Sequence, residues 1–189
     1  STDKESNTIM QPCRLCGQAT VLQFRLTFLN KHDVGFFRCS HCESLQTDPP
    51  FWLDEAYADQ RRFFDTGSVV RNHNLLVQLW YIKRLFGFRD GVSALDWGGG
   101  DGLFTRMMRD IGIDAYHYDK YATNKYAAGF EDLPTRKYDI ITAFEVWEHL
   151  PEPAIAVDEI FARKPTVHFL TTGLYTGQDA RWDYIWPTT

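Results

Sequence analysis

Residues Ala94–Gly102 read A-L-D-W-G-G-G-D-G, and the interpretation of this stretch decides the fold. Val92, Ala94 and Leu95 form a short apolar lead-in that ends in a carboxylate, Asp96. Four glycines follow within five residues: Gly98, Gly99, Gly100 and Gly102. A helical pattern then runs from Leu103 to Asp110, with Leu103, Met107 and Ile111 on one face. A buried strand leading into glycines and then a helix predicts a nucleotide-type cradle, because only glycine lets a ligand press against the backbone. The dinucleotide fingerprint needs Gly at its first, third and sixth positions. Counted from Gly98 the sixth position is Leu103, and counted from Gly100 it is Thr105, so that fingerprint fails. The Gly-Lys-Ser/Thr of a phosphate loop is absent too. A carboxylate at Asp96 would oppose a pyrophosphate but suits a ligand carrying ammonium and sulfonium charges.

On these residues the chain resembles the class I S-adenosylmethionine-dependent methyltransferases, whose first motif is D-x-G-x-G-x-G. Asp96, Gly98, Gly100 and Gly102 stand in register with it, and Gly99 lies inside it. The resemblance reaches to about residue 172. Asp119, 23 residues after Asp96, ends the strand-like run Ala115–Tyr118. It takes the place where the family's acidic residue holds the ribose hydroxyls, and a carboxylate there can accept O–H groups. Lys137–Leu150 resembles the family's fourth strand and the loop after it. The resemblance implies an α/β fold: a doubly wound, mostly parallel, Rossmann-like sheet. It also implies that Phe130 and Glu131 fall near the adenine, and that Glu145, Glu148 and His149 approach the cofactor end. The ending E-H-L resembles small-molecule methyltransferases; Glu148 would assist as a charge or hydrogen-bond partner, and His149 would deprotonate the acceptor. The alternative is that His149 only packs against or caps the next helix.

The N-terminal part has a different character. All four cysteines fall into two C-x-x-C pairs, Cys13/Cys16 and Cys39/Cys42. Between them Leu22, Phe24, Leu26 and Phe28 alternate with polar residues, as in a half-buried strand. Asn30–Gly35 reads as a turn, and Phe36–Cys39 starts a second strand. Two such knuckles at the ends of a hairpin gather four thiolates tetrahedrally, a closed structural Zn2+ site in a small zinc-ribbon-like β module. Two disulfides or a redox pair are the rival readings, and nothing in the sequence directs export to the oxidising compartment that disulfides require.

Three segments follow: the metal module at 11–50, a helical linker or lid at 51–91, and a methyltransferase core at 92–189. In the linker, Asp54–Phe64 reads as a short helix. Asp65–Ser68 offers capping groups, and Val69–Phe86 reads as a longer helix with Leu75, Leu79, Ile82 and Phe86 as its stripe and Gly87 as its cap. Tyr57 and Arg71 are lid candidates. In the core only some ten residues separate Asp119 from Phe130, so the third strand of the fold or its helix is expected to be reduced. Tyr138–Phe144 is apolar on both faces, as an interior parallel strand should be. Thr166–Thr172 reads as a fifth strand, leaving too few residues for the family's last two edge strands.

Composition narrows the function. Hydrophobic residues make up 44% of the 189, enough for a packed core. The net charge of −5 disfavours a nucleic-acid partner bound through phosphates. No leader and no apolar run near 18 residues is present, so a cytoplasmic protein without a membrane span is expected. The expected activity is methyl transfer to a small-molecule acceptor such as a sugar, polysaccharide unit or natural-product intermediate. An N-terminal cysteine module before this core resembles sugar C-methyltransferases, and Trp147, Tyr175, Trp182 and Trp186 suit stacking on a planar or sugar group. The alternatives are a ribosomal RNA methyltransferase with a zinc module and a non-catalytic zinc-ribbon scaffold. The oligomeric state is left open.

Overall fold

A computed structural model of the chain describes residues 11–29, 31–52, 55, 67–175 and 177. The described residues divide into two compact units. One contains the N-terminal strands together with Glu148–Ala156 and the residues from Gly173 on; the other contains residues up to Trp147 from the long helix onward, and Val157–Thr172.

The first unit is a three-stranded antiparallel sheet of β1 (Thr20–Phe28), β2 (His32–Cys39) and β3 (Leu45–Thr47), in the order β1-β2-β3. The hairpin is tighter than the sequence suggests: β2 begins at His32, and the turn uses Leu29 at φ 50° with Lys31 N–H donating to Phe28 O. Alternation in β1 also breaks. The register pairs Leu22 with Phe37 but Phe24 with Phe36, so an extra residue is accommodated between them. Such a bulge reverses the facing of what precedes it. Leu22 is therefore exposed, whereas Phe24, Leu26 and Phe28 pack with Val34, Phe36 and Trp52. Phe24 stacks on Phe36 with centroids 4.7 Å apart.

The second unit is built on α1 (Ser68–Leu85), β4 (Ser93–Trp97), α2 (Leu103–Asp110), β5 (Asp114–Tyr118), β6 (Ile140–Phe144), the part of α3 (Pro153–Ala162) from Val157 on, and β7 (Val167–Thr171). The four strands are parallel, in the order β5-β4-β6-β7. From β4 the chain steps outward to β5, then returns to β6 on the opposite flank of β4. The strand order thus reverses between β4 and β6, the switch point at whose carboxyl end ligands bind in open α/β sheets.

Both sheet faces are covered, which is why β6 reads I-I-T-A-F, apolar at every position but Thr142. On one face Ala94, Ala115 and Ile140 pack with Leu79 of α1 and with Phe104 and Met108 of α2. On the other face Phe161 of α3 lies 5.9 Å from His168. Helix α2 buries Phe104, Thr105 and Met108, not the stripe Leu103, Met107 and Ile111, and Ile111 is exposed. Its apolar residues occupy two adjacent stripes, and packing selects the one facing β4 and β5. In α1, Leu79 is fully buried but Phe86 is exposed, and Phe88 packs on the core in its stead. Gly87, at φ 68°, caps this helix as expected. Its N–H donates to Arg84 O and the next N–H, of Phe88, donates to Lys83 O, a double closure that turns Phe88 inward.

Between β5 and β6 the third strand of the fold is reduced to one parallel bridge, His117 with Glu131. This irregular stretch is held from outside. Arg163 grips Asp132 through two bonds, 2.9 and 2.6 Å, and Tyr138 Oη donates to the same carboxylate at 2.8 Å. Replacing Leu79 with Ala removes the one fully buried side chain of α1 and is expected to cost 2–5 kcal/mol, roughly, in chemical denaturation followed by circular dichroism.

Candidate functional site

The glycine loop crosses the switch point. Its first half is sewn to the end of β5, since the N–H groups of Gly98 and Gly99 both donate to Tyr118 O, at 2.7 and 3.0 Å. Two glycines are then required for different reasons. A Cβ on Gly99 would lie 2.6 Å from Asp96 Oδ2 and 2.9 Å from His117 Cδ2, so the backbone rests directly on those side chains. Gly100 sits at φ 60° with open space where its side chain would be. There the loop presents bare backbone outward.

Asp96 lies beneath this loop, almost fully buried. The carboxylate that the sequence places opposite a cationic ligand is engaged by two hydroxyls. Thr105 Oγ1 of α2 donates to Oδ2 and Thr142 Oγ1 of β6 donates to Oδ1, each at 3.0 Å. Burial pushes its carboxyl up to about 6, partly offset by these two bonds and by His117. Asp96 therefore ties β4, α2, β6 and the loop together.

Asp119 follows β5. Its Oδ2 accepts from Gly100 N–H at 2.9 Å, and its Oδ1 accepts from the N–H groups of Tyr121 and Ala122 at 2.8 and 2.7 Å. Of about four acceptor positions on a carboxylate, three are filled, and the one remaining is on Oδ2, beside the bare backbone of Gly100. The Gly100 carbonyl is held as well, 2.9 Å from His117 Nε2. A carbonyl only accepts, so that nitrogen carries the proton. Strand β5 and its end thus grip Gly100 on both sides.

The other residues singled out from the sequence divide. Glu131 Oε1 accepts from Asn124 Nδ2 and Gly129 N–H, both at 3.1 Å, and the Gly129 bond leads in holding its carboxyl below the usual range. Asn124 in turn lies against Gly102, where its carboxamide oxygen leaves no room for a side chain. Glu131 is thereby linked to the loop. Phe130 is not: its ring stacks on the Arg109 guanidinium, 3.4 Å away, and meets Tyr116 edge-on at 6.5 Å. Glu145, directly after β6, adopts φ 55° and donates its N–H to Thr171 O at 3.0 Å. Glu148 and His149 form a short 3-10 turn with Trp147 and are half-buried. Trp147 turns its indole toward His168, 5.7 Å away, and Tyr175 lies 6.0 Å from Phe24. Tyr57, Trp182 and Trp186 lie outside the described residues.

Three contributors escape a sequence reading: Thr105, Thr142 and His117. Thr142, a lone hydroxyl inside an apolar strand, is the one that carries a visible signal.

The four cysteines converge in the other unit. Their Sγ atoms all lie within 4.8 Å of one another, with Cys13–Cys42 at 3.6 Å and Cys16–Cys39 at 3.5 Å. Four sulfurs at zinc bonding distance, about 2.3 Å from a common centre, would stand about 3.8 Å apart, so the cluster fits a tetrahedral ion. The cysteines are unbridged. The N–H groups of Cys42 and His41 point at Cys39 Sγ, at 3.5 and 3.4 Å, and lower its thiol. Burial raises the Cys13 thiol, but Ser44 and the N–H groups of Cys16 and Leu15 outweigh it and bring it down to about 6. Backbone and hydroxyl donors thus favour the thiolate at Cys39 and Cys13, whereas at Cys16 the Gln18 N–H is outweighed by burial and the other three sulfurs, which push its thiol up to about 12. His41 faces no ligand role, since the donor set is complete without it.

A family profile described as a methyltransferase domain matches residues 76–186, and the chain belongs to that family. No curated protein matches the chain. No described helix is long and apolar enough to cross a membrane.

The raised Asp96 carboxyl has a signed consequence. Its protonated form is favoured in the fold, so its contribution is fully present below about pH 4 and is lost as pH rises through about 6. The stability of wild type relative to Asp96→Asn should fall across that window by up to about 3 kcal/mol, read from urea denaturation at each pH. Elemental analysis should find one zinc per chain in protein purified without chelator, and Cys39→Ser should lose it and lower the melting temperature.

Proposed function

We propose that the chain is an S-adenosylmethionine-dependent methyltransferase acting on a small-molecule acceptor, of the sugar, polysaccharide-unit or natural-product kind, with a structural zinc ion in its cysteine module. The observation that carries this reading is the grip on Gly100. A bare, outward-facing peptide at the switch point stands beside a carboxylate that has one acceptor position left. A ribose hydroxyl is the natural donor to that position, and family membership supplies the chemistry. When bound, S-adenosylmethionine supplies an activated methyl group on sulfonium, so transfer is a displacement governed by alignment.

The residues then have separate tasks. Asp119 accepts from the ribose while keeping Gly100 in place. Asp96, through Thr105 and Thr142, holds the loop's shape and adds negative charge beneath it, which favours a cationic ligand over a phosphate. Glu131 and Asn124 brace Gly102 at the entrance to α2. Glu145 marks the carboxyl end of β6. His149 serves as general base toward an acceptor hydroxyl or amine, with Glu148 beside it as a charge partner. Cys13, Cys16, Cys39 and Cys42 hold zinc, and four sulfur ligands leave no position for catalysis by the metal. The acidic balance of the chain favours a small acceptor over a structured RNA.

Isothermal titration of the zinc-loaded chain with S-adenosylmethionine should show one site. Asp119→Ala should weaken it about tenfold, near 1.4 kcal/mol, as expected for one charge-assisted hydrogen bond. Equal affinity in the variant would remove the ribose assignment, and no binding to the wild type would remove the cofactor.

A further inference from the structure

Arg14 stands between two of the cysteines, in the knuckle Cys13-Arg-Leu-Cys16, and is not a metal ligand. The backbone around it is latched to β3. Arg14 N–H donates to Gln46 Oε1 at 2.7 Å, and Gln46 Nε2 donates to Pro12 O at 3.1 Å, on the other side of Cys13. The guanidinium then divides its donors. Nη2 donates to the carbonyl and to the hydroxyl of Thr47, 3.2 Å each, while Nη1 donates to the carbonyl of Pro151 at 3.2 Å. Pro151 is 137 residues away in sequence. It belongs to Glu148–Ala156, the stretch that forms part of the same compact unit as the cysteine module. This stretch contains Pro151 and Pro153, neither of which has an N–H to brace it from within. A planar fork with one edge fixed on Thr47 holds its other edge at a defined point, which a flexible ammonium would not do.

We propose that Arg14 is a positioning residue for the Glu148–Pro151 loop, so that order imposed on the knuckle by the metal passes through one guanidinium to the segment bearing Glu148 and His149. The cysteine module is then an anchor for that loop. The importance of the loop to methyl transfer rests on the functional reading above; its anchoring does not.

Hydrogen-exchange mass spectrometry on the full, zinc-loaded chain tests this. In Arg14→Met the zinc content should stay at one per chain, and β1 to β3 should exchange as in wild type. The amides of 148–156 should exchange about tenfold faster, as expected on losing one charge-assisted bond. Arg14→Lys, which keeps the charge but cannot serve both partners at once, should show a smaller increase. Arg25→Met, which removes an arginine of the same module paired with Asp33, should leave 148–156 unchanged. Wild-type exchange across 148–156 in zinc-loaded Arg14→Met would overturn the proposal. Loss of zinc from both Arg14 variants would overturn it too, because Arg14 would then be part of the metal fold itself. Titration with S-adenosylmethionine reads the other question separately: a wild type that does not bind it would sink the functional reading and leave the exchange comparison standing.

Discussion

One carboxylate, buried beneath a turn of bare backbone, holds the second unit in register. Asp96 is the last polar side chain of the central strand, and each of its oxygens is met by a threonine hydroxyl from a different element. An ionised group taken from water at that depth is tolerated only when hydrogen bonds replace its hydration. Here the replacements come from α2 and β6, so satisfying one charge fixes the helix that starts at the loop and the strand on the far side of the switch point. The contact between Gly99 and the same carboxylate then leaves the loop one way to lie. A side chain at Gly99 would have to displace either the carboxylate or His117, both of which are buried and hydrogen-bonded.

Above that layer lies a second, built from β5. Asp119 and His117 take the two polar groups of the Gly100 peptide, one each, and Tyr118 takes the N–H groups of the two glycines before it. The loop is therefore preorganised by the end of β5, through two side chains and the Tyr118 carbonyl, together with one internal turn closed by Gly102 N–H on Gly99 O at 3.0 Å. This arrangement suits a ligand that binds with a defined orientation, because the backbone need not reorder when the ligand arrives. It also separates two electrostatic roles that a sequence reading merges. Asp96 is enclosed beneath the loop, and Asp119 stands at its edge with an acceptor position beside Gly100.

The cysteine module follows another economy. A three-stranded sheet this small buries few large side chains, chiefly Phe28, Val34, Phe36 and Trp52, and sheets of that size gain much of their stability from a bound ion. The four-sulfur cluster provides the donors for one. What gives the module reach beyond itself is the knuckle's intervening arginine, whose fork spans from β3 to a carbonyl far along the chain. Cysteines that share one ion are fixed by it, and a fixed root is what a long side chain needs in order to hold something at its tip.

Much of this was legible in the residues themselves, wherever local chemistry permits only one answer. Glycines in Ala94–Gly102 announce a backbone that must take positive φ or lie against its neighbours, paired C-x-x-C knuckles announce converging thiolates, and a nearly all-apolar run announces a strand covered on both faces. The end of α1 at Gly87 belongs to the same class. What only the tertiary structure decided is which partner each ambiguous residue meets. Helix α2 carries two apolar stripes, and packing chose Phe104 and Met108. The bulge that turns Leu22 outward depends on the opposing strand. Thr105 and His117 look in sequence like any helix or strand residue, and Thr142 stands out only as one hydroxyl in an otherwise apolar strand. Their importance arises because parallel pairing sets β4 between β5 and β6, and a hydrogen bond needs its two atoms within about 3 Å regardless of how far apart the chain has placed them.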